Sequence, residues 1–323
     1  MTSPRALHLN DCAFVGQNMV EAAGRAGLPW RLLPPGRTWP RVRAGHSQPT
    51  RVENYRTLAR IARHAAWSQV IHVHFATTVR RLRAPYIPRR PYVLHLHGTD
   101  IRTLWKDPAR GPGIQAAIDG ARHVFYSTRD NEGNATTARP DAEYLPVFVD
   151  PTSLPDWRPE GYVAFASRWE EVKGLADMLE VARGLAAAGI EMRGLDWGPG
   201  AADAAELGVR LVPKMNHQDY LRFLAGARVV VGQASSILSV SELEAMAIGV
   251  PLAAVGTHLP GPDGGPIPLR EGTASEVVDA VVADAADPEG ASTALGVREW
   301  TLAHHTADRY VPRVSEVYRS IVG

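Results

Sequence analysis

The chain has 323 residues, 45% of them hydrophobic and 21% charged, a balance that supports ordinary buried cores and, at this length, two domains rather than one. No apolar run reaches the length of a membrane span, the opening MTSPRALHLN lacks the charged and apolar blocks of a secretory leader, and the single cysteine, Cys12, excludes an intrachain disulfide and a cysteine-based metal cluster. Net charge is +1, but residues 1–150 hold 21 Lys and Arg against 11 Asp and Glu, an excess of +10, while residues 151–323 hold 14 against 23, or −9. Such asymmetry is either a solvated surface in an arginine-rich chain or a first half that meets something acidic: an anionic lipid, a phosphorylated glycan, an acidic protein or nucleic acid. A cytoplasmic protein is the expectation, with peripheral attachment to a membrane left open.

Leu7–Leu9 read as a short strand, Asn10–Gly16 as a loop and Gln17–Ala26 as a helix ending at Gly27. Gly16 stands at a strand-to-helix turn, where a glycine lets backbone approach a ligand. Trp30–Leu33 begin a second strand, and a Pro/Arg-rich segment through Thr50 reads as exposed. Val52–Trp67 fits an amphipathic helix with Leu58, Ile61 and Ala62 on one side and arginines on the other. Two strands of similar pattern follow, VIHVHFA (Val70–Ala76) and YVLHLHGTD (Tyr92–Asp100). Period-two alternation puts Ile71, Val73 and Phe75 on one face and His72 and His74 on the other, and His95 and His97 alternate in the same way. A His-x-His pair on a strand can ligate zinc, so a metal-dependent hydrolase is one reading. No carboxylate-and-histidine set with ligand spacing follows downstream, and packing or hydrogen bonding accounts for most of these imidazoles. His97 differs because Gly98 follows it, which places it at the carboxyl end of a strand where α/β sites form; Asp100 and Arg102 extend that end. Ala121–Ser127 and Ala142–Pro151 are further strands, running into a linker at Pro151–Pro159 where composition and charge shift.

The second half opens a new strand-loop-helix unit at Tyr162–Ala166. Arg168 and Lys173 lie in or just after the loop, and Lys173 is one of only three lysines. Two cations five apart at such a turn suit a diphosphate, although surface pairing with Glu170 and Glu171 is the plainer account. EMRGLDWGPG reads as a strand with a glycine-rich end whose Gly194, Gly198 and Gly200 do not fit the dinucleotide fingerprint. VRLVPKM is a strand and turn, and HQDYLRFLAGA a helix. Val229–Gly256 then reads as strand, hydroxyl-rich loop, helix, stop and strand, with Gly249 at the helix end and Pro251 barring continuation. Ser239 with Glu242, or Ser241 with Glu244, has capping-box spacing, so either glutamate could close that helix. Glu271–Ala286 contain one helix, and Tyr310, Val314, Val317, Tyr318 and Ile321 line one face of a tail that should dock on a core. Strands alternating with helices predict α/β architecture: two Rossmann-like doubly wound parallel-sheet domains, 1–157 and 158–305, facing a cleft, with 306–323 a separate tail.

SRWEEVKG (Ser167–Gly174), GLDWGPG, VPKMNHQDYL and above all ELEAMAIGVP (Glu242–Pro251), with HLHGTD and YLPVFVD in the first half, resemble GT-B fold glycosyltransferases of the retaining family-four group, which use nucleotide-diphospho-sugars. The resemblance implies transfer of a sugar from such a donor, with a UDP or GDP product and neither metal nor further cofactor. By it, Arg168 and Lys173 bind the diphosphate and stabilise charge on the leaving nucleotide, and His97 approaches the donor sugar. Glu244 holds the ribose, Val212 to Met215 with Lys214 lie near the base, and Gly16, Gly198, Ser239, Val240 and Ser241 line the donor site. Asp100 and Arg102 fall on the acceptor side. The resemblance also implies that the tail, 306–323, crosses back to the first domain. The chain departs from the pattern at Ser236, eight positions before Glu244, where the family carries a glutamate, and in the loop SSILSVS, which lacks the usual glycines. That departure makes a non-catalytic nucleotide-sugar-binding module the alternative expectation.

Overall fold

In the computed structural model, which describes residues 3–42 and 45–323, the strands fall into two six-stranded sheets with every pairing parallel. Arg43 and Ala44, in the segment expected to be exposed, lie outside the described residues. The first sheet holds β1 (Ala6–Leu9), β2 (Trp30–Leu33), β3 (Val70–His74), β4 (Tyr92–Leu96), β5 (His123–Tyr126) and β6 (Glu143–Tyr144), in the order β2-β1-β3-β4-β5-β6. The second holds β7 (Tyr162–Phe165), β8 (Met192–Leu195), β9 (Val209–Val212), β10 (Ala227–Val231), β11 (Leu252–Val255) and β12 (Arg270–Gly272). Its order, β12-β11-β10-β7-β8-β9, is the 3-2-1-4-5-6 arrangement of dinucleotide-binding sheets when counted from β7. Strand order therefore reverses between β1 and β3 in one sheet and between β7 and β10 in the other. Those are the points at which open α/β sheets bind ligands, beyond the carboxyl ends of the strands.

Every residue of β1, β3 and β7 is buried, as strands covered on both faces require. One compact unit runs to Phe148 and also takes Ala307–Gly323; the other is Val149–Thr306. In the first unit, Leu7, Leu9, Ile71, Val73, Leu94 and Leu96 pack with Ile61, Ile114 and Ile118. The opposite face carries the histidines, and the helix Ala307–Val322 supplies Tyr318 to it. That helix buries Val311, Val314, Val317 and Tyr318 and is pinned by Arg25–Asp308 at 2.6 Å and Arg313–Glu143 at 2.8 Å. The second unit has its own core of Val163, Phe165, Trp169, Val181, Leu185, Val229 and Val231.

One local expectation changes, and the structure adds elements on which the sequence was silent. β3 ends at His74 because Phe75 turns at φ 79°, so Phe75 leaves the alternation and Ala76–Arg83 coils. β12 is three polar residues at a sheet edge, too short to show a period. The region after Ala286 holds two further helices, Pro288–Leu295 and Val297–His304, parted by Gly296 at φ 66°.

Candidate active site

In the second unit, the loop leaving β7 is anchored by Trp169, a fully buried ring. Its amide donates to the Trp197 carbonyl at 2.9 Å, and its own carbonyl accepts from Gly200 N at 3.1 Å. Gly198 sits at φ 110°, and a Cβ there would lie 2.4 Å from the Trp169 carbonyl oxygen, so only glycine fits. The glycine-rich end of β8 thus locks two loops together. Arg168 pairs with Glu170 at 3.1 Å and lies 5.5 Å from the Trp197 ring, while Lys214 Nζ lies 4.1 Å from that ring. The carbonyl of Val212, at the end of β9, accepts from Asp196 N at 2.8 Å. Arg168, Val212 and Lys214 are therefore gathered about Trp197, an exposed aromatic that sequence reasoning passed over.

Lys173 meets the loop after β10. Its Nζ donates to Gln233 Oε1 at 2.5 Å, and its carbonyl accepts from Ala234 N at 3.0 Å. Gly174, at φ 75°, lets the two loops touch, since a Cβ there would sit 2.4 Å from Ala234 Cβ. Gln233 Nε2 in turn donates to the Ile237 carbonyl at 2.9 Å. Ser236 is exposed on this loop, with its carbonyl accepting from Leu259 N at 2.8 Å.

The helix Val240–Ile248 is closed by Ser239 and Glu242. The Glu242 carboxylate accepts from the amides of both Ser239 and Gln233, and burial raises its pKa. Ser239 is thus the helix cap, and Val240 is the first helical residue. With capping assigned to Glu242, Glu244 is left for another role. It is 5% exposed and accepts from or shares a proton with His217 Nε2 at 2.7 Å, which holds the imidazole pKa above its ordinary value. Ser241 hydrogen-bonds Tyr220, whose hydroxyl donates to the Ala166 carbonyl at 2.7 Å.

In the first unit, the non-glycine residues with left-handed φ among those described are Asn10, Ala13, Phe14 and Phe75. Asn10 and Phe75 directly follow β1 and β3, the strands flanking the reversal of order, and Ala13 and Phe14 lie further along the loop after β1. Each such residue stores on the order of 1–3 kcal/mol, and strain of this kind gathers at functional sites. Asp11 accepts from Cys12 N and Gly16 N, both at 2.8 Å, and so covers the start of the helix Val15–Arg25. A Cβ on Gly16 would lie 2.9 Å from His74 Nε2. The glycine is needed for the helix to approach the sheet, and its amide is already engaged by Asp11. His97 directly follows β4 and is buried. Asp100, expected on the acceptor side, is instead fully buried: its carboxylate accepts from Ala76 N at 3.0 Å and His97 N at 3.2 Å, bracing the ends of β3 and β4. Burial pushes its pKa up to about 7. Arg102 is partly exposed and paired with Asp130.

The parallel register sets His8 beside His72 and His74 beside His95, so three strands present four imidazoles on one face, and His97, just past β4, adds a fifth. Neighbouring rings lie 4.7 to 5.7 Å apart, and all five are at most 3% exposed. Desolvation lowers the pKa of each, that of His8 to about 3, so the layer is neutral. His8 was not singled out in the sequence, although LHL before β1's end repeats the HVH and HLH alternation. His72, His74 and His95 bring nitrogen atoms within 4.8 Å of one another. Zinc needs lone pairs converging at about 2.0–2.1 Å. The rings of His72 and His74 are instead stacked within 10° of parallel, and both His74 nitrogens already face other imidazoles. The layer fits a hydrogen-bonded stack better than an ion.

No family model matches the chain, and no curated protein matches it in sequence. Solved structures do. A glycosyltransferase involved in avilamycin A biosynthesis (AviGT4) is 17% identical over 99% of this chain and 98% of its own, with a TM-score of 0.65. Sucrose-phosphate synthase from Thermosynechococcus elongatus is 16% identical over 98% of both chains, with a TM-score of 0.66. Anabaena HepE, solved in complex with UDP and glucose, is 14% identical over 98% of this chain and 100% of its own, also at 0.66. The likeness establishes the fold: two Rossmann-like domains in the GT-B architecture.

Proposed function

We propose that the chain transfers a sugar from a nucleotide-diphospho-sugar to an acceptor, without a metal and with retention at the anomeric carbon. The observation that carries this reading is the junction of two loops at the order reversal of the second sheet, where Lys173 meets Gln233 and Arg168 stands by Trp197. In the proposed mechanism Arg168 and Lys173 neutralise the diphosphate as the glycosidic bond breaks, an electrostatic task that a guanidinium fork and an ammonium suit. Glu244 receives the ribose hydroxyls, a role supported by its release from capping. Trp197 offers a flat face to the base, with Lys214 and Val212 beside it. The same reading assigns His97 to the donor sugar. The acceptor lies on the first unit, and the +10 excess of residues 1–150 favours an anionic one. No helix is long and apolar enough to cross a membrane among the described residues.

The test is release of UDP or GDP from a panel of donors in the presence of candidate acceptors, with Arg168→Ala and Lys173→Ala as controls. Each variant should lose at least about a hundredfold in kcat/KM, the scale for removing a group that stabilises transition-state charge. Near-normal turnover in both would refute the assigned roles. A second reading, a nucleotide-sugar-binding module without turnover, draws on Ser236 standing where a carboxylate is the pattern. Calorimetric binding of donors with no nucleotide release across the acceptor panel would favour it.

A further inference from the structure

Sugar transfer by itself gives no reason to bury five imidazoles, and their hydrogen bonds have a direction. His72 Nδ1 lies 2.6 Å from the Tyr318 hydroxyl, which lies 3.1 Å from His8 Nε2. His8 Nδ1 lies 3.1 Å from His74 Nε2, and His74 Nδ1 lies 3.5 Å from His97 Nε2. A neutral imidazole has one N–H and one lone pair; with the single proton of the buried Tyr318 hydroxyl also engaged, as buried donors require, the protons along this chain all point the same way. Separately, His95 Nε2 faces the Leu145 carbonyl at 3.3 Å and can only donate to it. Two ring nitrogens of the layer are buried without a partner, His72 Nε2 and His95 Nδ1. If the chain runs from His72 toward His97, both of these are idle lone pairs. If it runs the other way, His72 Nε2 carries a proton with nothing to receive it, and orphaned buried N–H groups are rarer in native proteins than under-used acceptors.

We infer that His8 and His74 are positioning residues for His97: the relay His72–Tyr318–His8–His74 delivers an N–H to His97 Nε2 and thereby fixes His97 with its proton on Nδ1. Which imidazole nitrogen bears the proton is set by the bond the other one makes. Four members of the layer then carry the proton on Nδ1, opposite to the form free histidine favours in water, and His95 alone carries it on Nε2. Resting on the reading of His97 as the residue that meets the donor sugar, the relay gives that residue a permanent N–H donor on one nitrogen and no freedom to reorganise during the reaction.

The test uses the whole chain labelled with nitrogen-15 histidine, with long-range proton–nitrogen correlation at neutral pH and each signal assigned by single substitution. The expected spectrum has His8, His72, His74 and His97 protonated on Nδ1 and His95 on Nε2. A proton on Nε2 of His97, or signals averaged between the two forms, would overturn the inference. In His74→Gln the new amide can turn either way, so His97 should become averaged and kcat should fall by at least about tenfold, with donor KM held within about twofold. His97 keeping a pure Nδ1 signal in that variant would equally overturn it. Should His74→Gln not fold, His8→Asn frees His74 in the same manner and is read by the same two measurements. A wild-type protein that turns over no donor would count against the proposed function, while the spectra would still decide the relay.

Discussion

Acidification from about pH 7.5 to pH 5 is the perturbation to which this protein should be most sensitive. His8, His72, His74, His95 and His97 are buried and kept neutral by desolvation. In the unfolded chain the same groups take up protons below the ordinary value of about 6.5. The unfolded state therefore binds more protons, and stability falls as pH drops from about 6.5 toward the lowered folded values. At pH 5 a neutral His8, its pKa lowered to about 3, withholds roughly 2 kcal/mol from the folded state, and the other four imidazoles act in the same direction. Asp100 works the other way: pushed up to about 7, it is protonated in the fold first and returns roughly 2–3 kcal/mol over the same range. His217, raised by Glu244, also opposes the loss. Five buried imidazoles outnumber the two opposing groups, so the net effect is a loss, set against a typical domain stability of roughly 5–15 kcal/mol. Thermal melts should move down steeply below about pH 6.5, and hydrogen exchange should locate the opening in β1, β3 and β4. Unchanged melting and unchanged protection of those strands at pH 5 would refute the reasoning.

The two glutamates of the helix Val240–Ile248 should separate cleanly. Glu242→Ala removes an acceptor from two backbone amides and should destabilise by about 1–2 kcal/mol in denaturant melts; Glu244→Gln should leave the melt nearly unchanged while weakening nucleotide binding about tenfold by calorimetry. Gly198→Ala meets both a left-handed φ and the Trp169 carbonyl and should cost about 2–4 kcal/mol, whereas Gly24→Ala, on an open helix face, should stabilise by about 0.5–1 kcal/mol. Acceptor binding should weaken strongly as salt is raised; a flat response would count against an anionic acceptor on the basic first unit.

Much of the architecture was readable because strands such as VIHVH and ARVVV are apolar, short and bounded by turns. The helix stop at Gly249 was equally plain, and its φ of 110° is the left-handed conformation that glycine serves. What stayed hidden was anything decided by packing across sequence distance. Two capping boxes were possible near Ser239, and the Glu242 carboxylate decides between them by accepting from the amides of both Ser239 and Gln233. Asp100 was expected on the acceptor side because nothing local reveals that Ala76 and His97 offer it their amides. Gln233 and Trp197 carried no spacing signal; each matters through its meeting with Lys173, or with Arg168 and Lys214. The paired histidines were visible as pairs, but it takes the register of three strands to make them a layer.

The Tyr318 hydroxyl closes onto His8 across 310 residues of chain, with the entire second unit intervening. During synthesis β1, β3 and β4 leave the ribosome early, yet the lid over their imidazoles follows only after Val149–Thr306 has been made. Val149–Thr306 is continuous and can collapse as it emerges, whereas its neighbour must wait with a polar, half-covered sheet face. The waiting interval favours a nascent chain whose uncovered face is wettable. A row of histidines tolerates water until the helix arrives and excludes it afterward, where a row of leucines would invite misassociation. The chemistry of that face thus suits the timetable on which the polypeptide is delivered.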